Sequence, residues 1–315
     1  MDTISVSAQR RISTICSHIN PSPDNAQELL AAQETASNGR SFQLEGQVVI
    51  VTGSGQGIGE SAAYLFAKEG AHVVVTDLDS AKAEKVAQNI IANGGKAIAV
   101  SGDVTDPKFA DKLIDATIKN FGKINIIVNN AGYTWDGMLH KLTDKQWDAM
   151  LAVHNTAPFR IVRAAAPYMR DEGKKEIEKD GVAQNRCIIN ISSTSGIHGN
   201  IGQANYSTAK MGVLGFTKTI AKEWGMFGVR SNAIAFGMID TRLTQSKETG
   251  AFIEVDGQKV SLGIPGQQRG NRYDHIPLKR AGKADEAAAS IVMLASPLAS
   301  YITGHCLEVT GGFGI

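Results

Sequence analysis

The sequence predicts an α/β domain in which a parallel sheet of seven strands carries helices on both faces, preceded by a short N-terminal extension. Two observations predict this fold class. From Gln47 onward, short runs rich in β-branched residues alternate with segments of helical periodicity, as in parallel sheets that are covered on both faces. A chain of 315 residues, 43% of them hydrophobic, can also bury a core of that size.

The strands are predicted where the apolar runs fall. They are Val48 to Thr52, His72 to Asp77, Lys96 to Ser101, Ile124 to Asn129, Cys187 to Ile191, Val229 to Ile234 and His305 to Val309. Nearly continuous apolar runs of this length are typical of strands buried on both faces, and the segments between them are long enough for crossover helices. We therefore expect one doubly wound domain over residues 45–315.

Residues 1–44 differ in composition from the rest of the chain. They are rich in Ser, Asn and Gln, and Pro21 and Pro23 divide them. A short helix is predicted from Asp24 to Ala36, and we interpret the whole segment as an extension rather than a domain. Residues 1–20 faintly resemble a mitochondrial transit peptide, so a mitochondrial location stays open beside the cytoplasmic one that a plain surface extension would indicate.

The charge balance and the cysteines narrow the classes of partner. The 32 basic residues against 31 acidic ones leave no net field to attract nucleic acid or an anionic membrane surface. No apolar run reaches the ~18 residues that span a bilayer. Cys16, Cys187 and Cys306 lie far apart and form no CxxC pair, so we expect reduced thiols and no metal site. The expected partner is a small molecule.

Residues 244–276 are longer than a crossover between strands requires. Within them, Asp256-Gly257 separates two short apolar runs, which is a strong signal for a β-hairpin. Glycines on both sides and apolar residues such as Phe252 and Ile253 favour a lid over the substrate. A rigid hairpin that only decorates the surface is the alternative.

A glycine-rich turn from Thr52 to Gly59 follows the first predicted strand and opens a helical pattern. The backbone amides of such a turn can meet a phosphate at the N-terminus of a helix. Tight strand-to-helix turns also favour glycine for backbone reasons alone, so the turn by itself is weak evidence. Asp77 ends the second strand, where a carboxylate can bind both ribose hydroxyls of an adenosine and repel a 2′-phosphate. With the neutral Gln56 in the turn, Asp77 favours NAD(H), and makes NADP(H) the less favoured cofactor.

Two further segments are expected at the same edge of the sheet. Asp103 and Val104 follow the third strand and could border the adenine ring, although Asp before a helix is equally a cap. The stretch from Asn129 to Gly132 ends the fourth strand, and its small residues would let the backbone approach a cofactor.

Tyr206 and Lys210 are the candidate catalytic pair. A spacing of four residues brings the two side chains together on one face of a helix. A lysine cation beside the phenol favours the phenolate and should lower the pKa of the tyrosine from ~10 toward neutrality, which suits general acid and base catalysis. A partly buried Tyr near a solvated Lys is the structural alternative. Ser193, at the end of an apolar run upstream, favours catalysis.

Together these motifs resemble the short-chain dehydrogenase/reductase family over essentially all of residues 45–315. The matching segments are TGxxxGIG at Thr52 to Gly59, NNAG at Asn129 to Gly132, Asn155, Ser193, and YxxxK at Tyr206 to Lys210. The pattern is most similar to that of the 3-oxoacyl-thioester reductases that act on acyl-carrier-protein or CoA. The resemblance implies a Rossmann-type fold, hydride transfer between a nicotinamide cofactor and a secondary alcohol or ketone, and a homotetramer. Surplus apolar residues on the predicted helix at Tyr206 to Trp224 agree with an interface between subunits.

The resemblance also implies a role for each catalytic residue. Tyr206 exchanges a proton with the substrate oxygen, and Ser193 donates a hydrogen bond to that oxygen. Lys210 lowers the pKa of the tyrosine and holds the nicotinamide ribose, while Asn155 bends its helix and steadies a water that links Lys210 to solvent. Ser192 is the alternative to Ser193, but its interval to Tyr206 is one residue too long. The implied cofactor contacts are Gly53, Ser54, Gln56, Gly57, Ile58, Gly59, Asp77, Asp103, Val104, Asn130, Ala131, Gly132, Tyr206, Lys210, Gly237 and Ile239, and the expected substrate contacts are Ser193, Ser195, Gln203, Met238 and Trp135.

The sequence departs from the family pattern in two respects. Phe236 precedes Gly237 where the family usually has proline, so the loop over the nicotinamide could be narrower. The acyl-thioester reductases typically prefer NADPH, whereas Asp77 favours NAD(H), which leaves open an oxidative enzyme acting on a secondary alcohol. A redox-neutral epimerase or dehydratase of the same fold, and a cofactor-binding scaffold without activity, are further alternatives. The complete set of catalytic residues favours redox chemistry.

Overall fold

The computed structural model describes residues 42–245, 248, 250–255, 257–263 and 273–314. The predicted helix from Asp24 to Ala36, the segment that resembles a transit peptide and Cys16 all lie outside these residues. The domain boundary predicted at residue 44 and the two alternative locations therefore stay predictions.

One sheet contains all seven strands that the sequence predicts. The strands are Val48–Thr52 (β1), His72–Thr76 (β2), Lys96–Ala99 (β3), Ile126–Asn129 (β4), Arg186–Ser193 (β5), Val229–Phe236 (β6) and, at the end of the chain, Cys306–Val309 (β9). Their order is β3-β2-β1-β4-β5-β6-β9, and every neighbouring pair is parallel. The predicted fold class is confirmed. Strand order reverses between β1 and β4, and ligands of doubly wound sheets bind at the carboxyl ends of the strands at such a point.

The core explains why the strands are apolar without alternation. Val74, Ile50, Ile127 and Ile188 lie in one row across β2, β1, β4 and β5, and all four side chains are fully buried. Helices cover both faces of the sheet, so side chains that point either way leave water. Burial of each such side chain contributes about 1.5–3 kcal/mol, which fixes the register of the strands that carry the site.

The helices occupy the segments between the strands. They are Gly57–Lys68 (α1), Ser80–Ala92 (α2), Phe109–Phe121 (α3), Asp144–Leu151 (α4), Ala157–Ala166 (α5), Glu172–Asp180 (α6), Thr194–His198 (α7), Ala204–Trp224 (α8) and Ala284–Ala295 (α9). Short-range signals set several of their ends: Thr143 and Gln146 form a capping box at the start of α4, and Gly122 ends α3 with a φ of 74°. A π-helical turn at Ala152–Thr156 separates α4 from α5.

The predicted hairpin is present in the insertion. Phe252–Val255 (β7) and Gln258–Ser261 (β8) pair antiparallel, with Ile253 opposite Val260. Gly257 in the turn has a φ of 74°, the left-handed conformation that glycine adopts most readily.

Two searches of the described part of the chain gave negative results. None of its helices is long and apolar enough to cross a membrane. No group of three or more His, Cys, Asp or Glu side chains in it could hold a metal ion.

Candidate active site

A cavity of about 850 Å³ opens at the carboxyl ends of β1, β2 and β4, where the strand order reverses. Ligand pockets in proteins commonly have ~300–1,000 Å³, so this volume suits a large ligand. The glycine-rich turn, Asp77 and the residues after β4 line one part of the wall. The lining residues named as cofactor contacts from the sequence are Gly53, Gln56, Gly57, Ile58, Gly59, Asp77, Asp103, Val104, Asn130, Ala131 and Gly132.

The glycine-rich turn needs glycine because the backbone approaches itself closely. Gly53 has a φ of 63°, and a Cβ there would lie 2.8 Å from the Cα of Ala131. At Gly59 a Cβ would overlap the carbonyl oxygen of Gly53. Asn130 locks the turn in place, since its Nδ2 donates to the carbonyl oxygens of Thr52 at 2.8 Å and Gly53 at 3.0 Å. The turn is thus a preformed cradle with room only for backbone and ligand.

Ser54 differs from its expected role as a cofactor contact. Its side chain is fully buried, and its hydroxyl donates to the carbonyl oxygen of Val51 at 2.7 Å. The Oγ of Ser54 in turn accepts the N–H of Thr76 at 3.1 Å. The hydroxyl therefore ties β1 to β2 inside the sheet and does not line the cavity.

Asp77 is held with its carboxylate against the glycine-rich turn. One oxygen accepts the N–H of Gly55 at 3.0 Å, and the other accepts the N–H of Asp79 at 3.1 Å. These bonds orient the carboxylate before any ligand arrives. Arg242, which the sequence analysis did not consider, lines the same cavity. Burial lowers its pKa and the charge of Asp77 raises it, so a cation and an anion lie close together here. A basic residue beside Thr241, at the start of the insertion, was the available signal.

Asp103 has a local structural role beside its place in the cavity wall. Its Oδ1 accepts the N–H and the hydroxyl of Thr105, at 2.8 and 2.7 Å. Asp103 does not cap a helix, because α3 begins at Phe109 and its N-cap is Lys108. Of the two alternatives given by the sequence, the cap is therefore wrong, and Asp103 lies on the cavity wall.

Ser193, Tyr206 and Lys210 come together but do not line the cavity. Tyr206 packs in one apolar cluster with Tyr133, which does line it. Ser193 ends β5, and Tyr206 and Lys210 share one face of α8. A hydrogen bond joins Ser193 to Tyr206, and the Nζ of Lys210 lies 5.6 Å from the centre of the tyrosine ring. Ser192, the alternative serine, points the other way: its buried hydroxyl donates to the carbonyl oxygen of Lys210 at 2.8 Å.

The pKa values of the pair differ from the expectation. Burial raises the pKa of Tyr206 to about 12, and the hydrogen bond from Ser193 acts against this rise. Burial also lowers the pKa of Lys210 to about 7, while its Nζ donates to the carbonyl oxygen of Ile191 at 2.7 Å. The expected lowering of the tyrosine pKa is therefore wrong for the unliganded site, because desolvation outweighs the attraction between the two charged forms.

Asn155 and its neighbour His154 lie in the π-helical turn. Asn155 donates from Nδ2 to the carbonyl oxygen of Ala209 in α8, at 2.9 Å. The ring that meets Tyr206 belongs to His154, edge to face, with 5.2 Å between ring centres. The family resemblance had implied a role for Asn155 alone.

The expected substrate contacts are Trp135, Gln203, Ser195 and Met238, together with Ser193, and each is held by contacts within the protein. Trp135 and Tyr206 pack in one apolar cluster with Ile253 and Val255 of the hairpin. Gln203 donates from Nε2 to Asp136 at 3.1 Å, and the backbone N–H of Ser195 donates to the Oγ of Ser193 at 3.2 Å. Met238 binds the N–H of Gly282 through its carbonyl oxygen.

Three residues at the end of β6 shape this side of the site. Phe236 is buried as the last residue of β6 and does not line the cavity. Gly237 donates its N–H to the carbonyl oxygen of Val309 at 3.1 Å, and a Cβ at Gly237 would lie 3.1 Å from the Cα of Thr310. Ile239 is buried beside Gly282. Neither Gly237 nor Ile239 lines the cavity.

The hairpin borders more of the site than the sequence suggested. Ile253, Glu254 and Val255 line the same cavity as the glycine-rich turn and Asp77. A lid over the substrate alone was expected. The structure extends it over the part of the site that would take the nucleotide.

Comparison with known proteins agrees with this architecture. Residues 47–251 match the family model described as short chain dehydrogenase. A 3-oxoacyl-[acyl-carrier-protein] reductase of Synechocystis sp. is 39% identical over 271 residues, which are 85% of this chain and 97% of the relative. The reductase of that name from Thermotoga maritima is 34% identical over 274 residues, 87% of this chain and 100% of the relative. One from Vibrio cholerae is 36% identical over 271 residues, 86% and 98% of the two chains.

Proposed function

The chain belongs to the short-chain dehydrogenase family, an oxidoreductase family acting on carbonyls or alcohols with a nicotinamide cofactor, and we propose that it is an NAD(H)-linked reductase of 3-oxoacyl thioesters. The observation that carries the proposal is the convergence of Ser193, Tyr206 and Lys210 beside a preformed nucleotide cradle. The relatives' names supply the substrate class, and the catalytic geometry supplies the reaction.

The residues of the cradle fit a dinucleotide. The glycine-rich turn leaves no space for a Cβ at Gly53 or Gly59, and its backbone faces the cavity at the start of α1, where a helix N-terminus favours phosphate. The carboxylate of Asp77 lies where ribose hydroxyls would donate to it. A bound nicotinamide cofactor supplies or accepts the hydride.

The chain's own residues handle the proton and the charge on the substrate oxygen. In the reductive direction Tyr206 donates its hydroxyl proton to the carbonyl oxygen, and its raised pKa keeps that proton present at neutral pH. Ser193 donates a hydrogen bond to the same oxygen, which stabilises the negative charge that develops there. Lys210, in its ammonium form, would stabilise the tyrosinate that remains.

The proposed preference for NAD(H) rests on the preoriented Asp77. A 2′-phosphate would bring a second anion to a half-buried carboxylate that already accepts two backbone hydrogen bonds. Arg242 works in the opposite direction, because a cation beside Asp77 could partly neutralise such a phosphate. The carboxylate is oriented by its two backbone hydrogen bonds, and we give it the greater weight.

A homotetramer is proposed with the enzyme. On α8, Val213, Ile220 and Trp224 are buried in the subunit, whereas Met211 is 53% exposed. This outward apolar side chain agrees with burial against another copy of the helix.

The test follows the absorbance of reduced nicotinamide with 3-oxoacyl-CoA esters and with simple ketones. We expect turnover with the thioesters, a loss of at least ~10²-fold in Ser193→Ala, and activity within several-fold of the parent in the matched control Ser192→Ala. Equal loss in the two serine variants would contradict the assigned geometry. No oxidation of NADH or NADPH by any carbonyl compound would contradict the proposed function itself.

A further inference from the structure

His154 is a buried histidine in the catalytic region to which the family resemblance assigns no role. Only 3% of its surface is exposed. Its Nε2 lies 2.9 Å from the carbonyl oxygen of Tyr133. A carbonyl oxygen can only accept, so Nε2 carries the hydrogen and Nδ1 presents a lone pair.

The ring of His154 is fixed from two sides. It meets the ring of Tyr206 edge to face, and it lies so close to Gly132 that a Cβ there would overlap the ring. The direction in which Nδ1 points is therefore set by packing. Nδ1 is buried and has no hydrogen-bond partner among the described residues.

A second, small cavity of about 10 Å³ lies beneath the catalytic pair. Its wall includes His154, Lys210, Asn129 and Asn190. This volume is at the lower limit of the ~10–15 Å³ that admits one water molecule, and a buried water needs two to four polar partners. The Oδ1 of Asn129 is also buried without a partner in the described structure. The Nδ2 of Asn129 is engaged, because it donates to Asn190 at 2.8 Å.

The polar groups around this cavity match the valences of a single water. Two acceptors, the Nδ1 of His154 and the Oδ1 of Asn129, can take its two hydrogens. The Nζ of Lys210 uses one hydrogen on the carbonyl oxygen of Ile191 and has others to donate. Asn155, which donates to Ala209 instead, does not line this cavity.

We propose that His154 is a positioning residue for Lys210: its Nδ1 and the Oδ1 of Asn129 accept hydrogen bonds from one buried water, which accepts a hydrogen bond from Lys210. The inference rests on the proposed function, in which Lys210 and Tyr206 act on the substrate oxygen. The role that the family pattern gives to an asparagine amide falls here to an imidazole one residue earlier.

The electrostatic consequence has a definite sign. The water offers its lone pair to Lys210, so the network favours the ammonium form, and an ammonium ion favours the phenolate of Tyr206. Burial and the charge of Lys210 lower the pKa of His154 well below 6.5, so Nδ1 stays an acceptor at neutral pH. Loss of Nδ1 should therefore raise the apparent pKa above which Tyr206 serves as a base in alcohol oxidation.

Two substitutions separate the two nitrogens of His154. In His154→Asn the amide can place an oxygen near the position of Nδ1, while the bond to Tyr133 is lost. In His154→Gln the amide reaches the position of Nε2 and keeps the bond to Tyr133, while Nδ1 is lost. We expect His154→Gln to raise the apparent pKa of 3-hydroxyacyl-CoA oxidation by ~0.5–1 unit and to lower kcat ~10-fold, with KM for the cofactor within ~3-fold. His154→Asn should stay close to the parent in both quantities.

The opposite ranking, or equal effects of the two variants, would overturn the inference while leaving the proposed function intact, because the parent would still turn over. A parent without activity would instead contradict the proposed function. A crystal structure of the unliganded parent gives a readout independent of activity. It should show one ordered water within ~3.2 Å of the Nδ1 of His154, the Oδ1 of Asn129 and the Nζ of Lys210. A dry cavity would refute the proposal.

Discussion

Replacing Asp77 by Asn tests the cofactor preference most directly. The substitution keeps the shape of the side chain and one oxygen that can accept the N–H of Asp79, and it removes the charge. Two unit charges 4 Å apart repel by about 4 kcal/mol at an effective dielectric constant of ~20. Arg242 offsets part of this repulsion, so we take about 2–3 kcal/mol as the net discrimination against a 2′-phosphate. That energy corresponds to a preference for NADH of roughly 30- to 150-fold in kcat/KM.

In Asp77→Asn the ratio of kcat/KM for NADH over that for NADPH should fall to ~10 or less. The preference for NADH should decrease for two reasons. The value of kcat/KM for NADPH should rise, and that for NADH should fall because the ribose hydroxyls of NADH make weaker hydrogen bonds to the amide. Arg242→Gln is the matched control: it should lower kcat/KM for NADPH while changing that for NADH less, because the guanidinium is the cation near the 2′ position. Steady-state kinetics with both cofactors gives the six values of kcat/KM, two for each of the three proteins. A parent that uses the two cofactors equally, or a ratio that does not change in Asp77→Asn, would refute the reasoning.

Four further predictions follow from the site and its surroundings. Tyr206→Phe should lower kcat by at least ~10²-fold while the dissociation constant of NADH, measured by fluorescence, stays within ~3-fold; retention of most of kcat would contradict the assignment. Because the pKa of Lys210 falls to about 7 on folding, the unfolded chain binds more protons above that pH, so the free energy of unfolding should rise from pH 7 toward pH 9.5. In Lys210→Met the free energy of unfolding, measured with urea, should rise less over this pH range. An identical dependence on pH in the two proteins would contradict the contribution assigned to Lys210. Replacing residues 250–266 by a short Gly/Ser linker should raise KM for both substrate and NADH, since Ile253 and Val255 line the nucleotide cavity; an unchanged KM for both would leave a decorative hairpin. Light scattering should give a mass near four times the 33.5 kDa of one chain, and Met211→Glu should shift it downward; a parent mass of one chain would end the tetramer proposal.

The strands could be predicted closely because the strands of a parallel sheet covered on both faces are nearly continuous apolar runs in the sequence. Both faces of β1 are buried, so every position from Val48 to Thr52 favours a side chain that loses little free energy when it is removed from water. The predicted ends of the strands differ from the observed ones by at most two residues, as at Ile124 and Ser193.

The chemistry of the site was only partly predictable. The four-residue spacing of Tyr206 and Lys210 correctly predicted that the two side chains lie close together, because α8 is a regular helix there. The family resemblance pointed to Asn155 and not to His154, whose ring contacts Tyr206. Periodicity could not correct this, because a π-helical turn departs from the regular 3.6-residue period that shows which side chains share a face. The pKa values of the pair depend on burial by distant parts of the chain, which spacing does not contain. Arg242 lines the same cavity as Asp77 although 165 positions of sequence separate the two residues, so local patterns do not show that they are close.

The position of the hairpin affects the rate at which the cofactor could be exchanged. Ile253, Glu254 and Val255 border the same cavity as Gly57 and Asp77, so a dinucleotide seated there would lie partly under β7. Exchange of the spent cofactor then requires the hairpin to move, and in many enzymes such an opening step, not the chemical step, limits turnover. A deuterated hydride donor would show little isotope effect on kcat under this regime, and a larger one once the hairpin is removed. The insertion would thus limit the rate of the catalytic cycle without taking part in the transfer of the hydride or the proton.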